Sequence, residues 1–82
     1  MKNKKITITV SGPVKSGKSI ITYIIKEMLK VHDLEVEFNP NPDFLSENKF
    51  NQVMRNEFDE AIKTIGKNTK IVIKEIQENI NF

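Results

Sequence analysis

Residues 5–10 (KITITV) alternate Ile6, Ile8 and Val10 with Thr7 and Thr9, which is the period-two pattern of a half-buried strand built from β-branched residues. A glycine-bearing loop follows over residues 11–17. From Lys18 to Val31 the apolar positions Ile20, Ile21, Ile24, Ile25, Met28 and Leu29 recur at helical spacing and form a wide stripe suited to packing on a sheet. Residues 34–38 (LEVEF) alternate again and predict a second strand. Asn39, Pro40, Asn41, Pro42 and Asp43 then interrupt both helix and ladder bonding. Phe50, Val53, Met54, Phe58, Ala61, Ile62 and Ile65 mark a second amphipathic helix, with Ser46 or Asn48 as N-cap and Gly66 as the residue just past its end. Residues 70–76 (KIVIKEI) predict a third strand.

This order, strand–helix–strand–helix–strand, predicts an α/β fold: a minimal three-stranded parallel sheet with two helices, joined by right-handed crossovers. Eighty-two residues make one domain, residues 1–82. Parallel strands buried on both faces should read as continuous apolar runs. Here Thr7, Thr9, Glu35, Glu37 and Lys74 take the second face, so that face is thinly covered or a second copy covers it. Open sheet edges point the same way, to a homodimer.

Composition narrows the classes. Hydrophobic residues are 38% and charged residues 29%, enough for a small core. No cysteine is present, which excludes disulfides and thiolate metal sites and fits a reducing, cytoplasmic compartment. No apolar run is long enough to span a membrane, and the basic start (Lys2, Lys4, Lys5) lacks the apolar stretch of a signal peptide. The net charge of +2 is too mild to call for nucleic acid, and aromatics do not interleave with the lysines.

The chemistry concentrates between the first strand and the first helix. Gly12-Pro13-Val14-Lys15-Ser16-Gly17-Lys18-Ser19 matches G-x-x-x-x-G-K-[ST] at every fixed position. Glycines admit backbone conformations that a Cβ obstructs, so consecutive N–H groups from Val14 to Ser19 can face an anion. The helix N-terminus adds unpaired donors and its positive dipole end. Lys18 is placed for the β- and γ-phosphates and the Ser19 hydroxyl for Mg²⁺. The bland alternative is a chance glycine turn before a helix.

On these residues the chain resembles the P-loop NTPase superfamily, in size and layout similar to very short P-loop proteins of phage and bacterial genomes. The resemblance covers about the first 31 residues. It implies that Gly12, Gly17, Lys18 and Ser19 hold a nucleoside triphosphate (ATP or GTP) with Mg²⁺, and that Lys18 acts in catalysis. It also implies an Asp at the end of a strand beside the loop. The nearest match is Glu75, after Ile71, Val72, Ile73 and an interrupting Lys74, read either as the Mg²⁺ carboxylate or as an exposed strand end. Lys15 stands where a glycine is frequent, adding charge near the terminal phosphate or simply solvated.

Several other residues weigh less. Asp43 is a substrate-side candidate or a turn residue, and Arg55, the one arginine, is a phosphate contact or a surface residue. Glu35 with Glu37, and Glu57 with Asp59 and Glu60, read as solvated faces, and His32 as structural. With no lid segment and one arginine, hydrolysis is expected to be weak or to depend on a protein partner. A non-catalytic nucleotide sensor or sequestering protein and a small nucleotide kinase-like enzyme are the alternatives.

Overall fold

In the computed structural model of the chain, described for residues 4–14 and 16–77, two helices form the regular structure: α1 (Lys18–Val31) and α2 (Glu47–Asn68). No strand or sheet occurs among the described residues. The three-stranded parallel α/β sheet expected from the alternating segments is therefore corrected to a two-helix fold. Residues 5–10, 34–38 and 70–76 run without a ladder. Ile6 and Ile73 are each 90% exposed, and Ile8, Leu34, Val72 and Ile76 are exposed as well. The physical reason is that alternation specifies two faces, not a pairing. A strand exists only when another segment supplies its hydrogen bonds, and here Ile20 and Ile21, at the start of the α1 stripe, pack on residues of α2 instead.

Both helices form for local reasons. Ser46 caps α2 from an extended conformation, its Oγ accepting from the Lys49 N–H at 3.2 Å, which selects Ser46 over Asn48. Glu47 in the first turn favours the positive end of the same helix. At the other end α2 runs through Gly66 to Asn68, and Thr69 is the C-cap, its N–H bonding the Ile65 C=O at 2.9 Å. The expected stop at Gly66 is thus overrun; Gly66 has open space where a Cβ would stand and needs no special conformation. Helix α1 ends in a Schellman arrangement. The Leu34 N–H reaches the Leu29 C=O at 3.3 Å and the Asp33 N–H reaches the Lys30 C=O at 3.0 Å, with Asp33 in the left-handed region at φ 60°.

The core lies between the helices. Phe50 is its centre, buried with Ile20, Met54 and Ile65. Phe38 and Phe44 reach it from the chain linking the helices, with ring centroids 4.8 and 5.1 Å from that of Phe50. Val36 and Phe38 are half-buried while Glu35 and Glu37 are exposed, so the alternation survives as burial without a ladder over residues 35–38, though not at the exposed Leu34. Lys26 is buried in the same layer. Its Nζ lies 5.3 Å from the Tyr23 ring centre and 5.5 Å from that of Phe38, and it pairs with Glu27 at 3.3 Å and Glu47 at 3.8 Å. An ammonium taken out of water needs such partners, and these tie α1 to the start of α2.

Candidate functional site: the loop at the start of α1

The glycine-rich loop enters α1 through Gly17, the N-cap, at φ 93° and ψ 14°. That left-handed conformation suits glycine, and space demands it too. A Cβ on Gly17 would stand 2.5 Å from Ile65 Cγ1. A Cβ on Gly12 would come within 2.9 Å of Ser16 Oγ, a side-chain end that can turn away, so the demand for glycine is weaker there than at Gly17. The Ser16 N–H donates to the Pro13 C=O at 3.2 Å. The Ser16 C=O accepts from the Thr69 hydroxyl at 2.9 Å. Two residues at the end of α2, Ile65 and Thr69, thus hold the loop in place.

Four features decide what this arrangement can bind. The first intrahelical bond of α1 runs from the Ile21 N–H to the Gly17 C=O at 3.1 Å, so the N–H groups of Lys18, Ser19 and Ile20 precede any helical acceptor. No side chain caps this end, and no acidic residue lies in the first turn. Lys18 and Ser19 border a cavity of about 260 Å³. Glu57 of α2 borders the same cavity, together with Phe44 and Met54.

The expected inward nest from Val14 to Ser19 is narrower than the motif alone suggests. The Ser16 N–H is engaged within the loop and so is withdrawn from the set of inward donors. Gly12, Pro13 and Val14 are exposed, and Lys15 lies outside the described residues. Glu75 is exposed and does not border the cavity. Asp43 is exposed in an Asx turn, its N–H bonded to Asn41 Oδ1 at 3.0 Å. Arg55 borders a different groove, between the helices. His32 is the exposed C-cap of α1.

Glu57 is the residue that sequence reasoning passed over as mere solvation. A signal was present, since Val53, Met54, Glu57 and Ala61 share one stripe of α2 and all four border the cavity. For Mg²⁺, Ser19 and Glu57 border one cavity and each carries a hard oxygen donor. An ion that keeps several waters and leans on phosphate oxygens fits so sparse a set. No cluster of three or more His, Cys, Asp or Glu residues that could hold a metal ion occurs among the described residues. No helix is long and apolar enough to cross a membrane among the described residues. Comparison with protein-family models, curated proteins and solved structures finds no match to this chain.

Proposed function

We propose that the loop of residues 12–19 binds the phosphates of a nucleoside triphosphate, ATP or GTP, together with Mg²⁺, and that intrinsic hydrolysis is weak or depends on a partner. The observation that carries this reading is the left-handed Gly17 opening directly into an uncapped helix N-terminus that bears Lys18 and Ser19. An anion placed there meets the N–H groups of Lys18, Ser19 and Ile20 and the positive end of the helix. Lys18 adds a mobile charge for the outer phosphates, and the Ser19 hydroxyl with Glu57 offers oxygen to the bound Mg²⁺, whose contribution is to neutralise phosphate charge. Weak turnover follows from what the cavity lacks among the described residues. Glu75 does not border it, and Arg55, the chain's sole arginine, borders the other groove.

The test is titration calorimetry with ATP and GTP in the presence of Mg²⁺. Lys18→Ala is expected to weaken binding by on the order of 2 kcal/mol, the scale of a charged hydrogen bond, with helix content by circular dichroism unchanged. Equal affinity of the variant and the parent protein overturns the reading. Phosphate release measured on the same samples separates a slow NTPase from a sensor that only binds.

A second copy of the chain is the partner we favour. The supporting observation is the individual exposure of large apolar residues on the extended segments, notably Ile6, Ile73 and Ile76, which replaces open sheet edges as the motive for association.

A further inference from the structure

A groove of about 450 Å³ lies between α1 and α2 and shares no residue with the loop cavity. Its wall is apolar and aromatic, formed by Tyr23, Ile24, Met28 and Val31 of α1 and Phe58 of α2. Tyr23 and Phe58 meet edge to face, with centroids 6.3 Å apart. Met28 and Val31 are more than half exposed although they lie on this wall, so apolar surface here faces water.

The charge at the groove is uneven. Glu27 borders it, but its carboxylate is engaged by Lys26 Nζ at 3.3 Å. Arg55 borders it from α2, exposed and without an ion pair among the described residues. An apolar trough with one uncompensated guanidinium is complementary to a molecule with an apolar body and a single anionic head. A guanidinium suits a carboxylate in particular, because its paired N–H groups match the two oxygens. The groove is an open trough rather than an enclosed pocket, so a molecule lying in it keeps one side in water.

We infer that this inter-helix groove binds a small monoanionic amphiphile, a carboxylate on an apolar body of roughly ten carbons, with Arg55 on the carboxylate and Tyr23, Met28 and Phe58 around the chain. The inference is independent of phosphate binding at the loop.

Tyr23 makes the test direct, because the chain has one tyrosine and no tryptophan, so tyrosine emission reports on this groove. Decanoate and decanol, titrated separately below their aggregation and solubility limits, share a chain length and differ in charge. Decanoate is expected to change the emission saturably and to bind about fivefold more tightly than decanol, the effect of one exposed ion pair. Arg55→Gln is expected to bring decanoate down to the decanol level and leave decanol unchanged. Val31→Glu, at an exposed position on the wall, is expected to weaken decanoate further by repulsion; it also provides a second test should the Arg55 variant lose helix content. A linear, non-saturating response to decanoate, equal affinity for the two probes, or full decanoate binding by a folded Arg55→Gln protein overturns the inference.

Discussion

At the scale of single residues, the loop depends on Gly17 twice over: for its left-handed backbone and for the space that Ile65 occupies against it. Gly17→Ala forces an L-residue into the left-handed region, costing roughly 1–2 kcal/mol. It also drives a methyl group into Ile65, which adds about 1–3 kcal/mol of overpacking. Urea denaturation is expected to show a loss of about 2 kcal/mol or more, whereas Gly66→Ala, in a helix interior with open space, is expected to stabilise by a few tenths up to about 1 kcal/mol. A Gly17→Ala protein as stable as the parent contradicts the close approach of the loop to α2. The need for glycine at residue 17 was legible in the motif; that Ile65 enforces it was not, since 48 residues separate the two in sequence.

At the scale of elements, the two helices are joined by a charged contact as well as an apolar one. Lys30 Nζ of α1 lies 2.7 Å from the carboxylate of Glu47, the first residue of α2. The hydrogen bond from Lys30 lowers the pKa of Glu47 below the ordinary carboxylate range, and the same bond raises that of Lys30 above the ordinary lysine range. The lowered carboxylate contributes stability that is fully present above the pKa of an unfolded glutamate and lost as pH falls through the lowered folded value. The raised lysine contributes stability that is present below its unfolded pKa and lost as pH rises through the folded value. Glu47→Gln is therefore expected to flatten both limbs of the stability–pH curve, measured as urea midpoints from the acid to the alkaline range. Parallel curves for the variant and the parent protein exclude the contact as a source of pH dependence. Both partners are substantially exposed, so salt is expected to shrink the effect.

At the scale of the whole molecule, the helices bury a small aromatic core while the extended segments leave large apolar side chains in water. The radius of gyration is 14.6 Å, larger than the roughly 12 Å of a compact domain of this length. Small domains with little core gain stability by associating, and the extended segments differ in charge: Lys5 on the first and Lys70 and Lys74 against one Glu75 on the last leave both positive, while Glu35 and Glu37 make the middle one negative. Light scattering at micromolar concentration is expected to give twice the 9.5 kDa chain mass. A mass near 9.5 kDa, unchanged as concentration rises, rules out the second copy.

The sequence by itself determined what depends on near neighbours along the chain. The bounds of α1 and the glycine loop placed against a helix start are set by bonds spanning three or four residues and by the conformational freedom of glycine, whereas the choice of Ser46 over Asn48 as cap of α2 was left to the structure. It left open what depends on distant partners. A stripe that begins with Ile20 and Ile21 declares a buried face without saying whether a sheet or another helix covers it. An alternation such as Ile6, Ile8 and Val10 declares two faces without supplying a neighbouring strand. Tertiary structure decided both, by packing α1 on α2 around Phe50. It also brought Glu57, nearly forty residues downstream, to the cavity of Lys18 and Ser19, because side chains on a helix meet distant residues only through the face that packing selects.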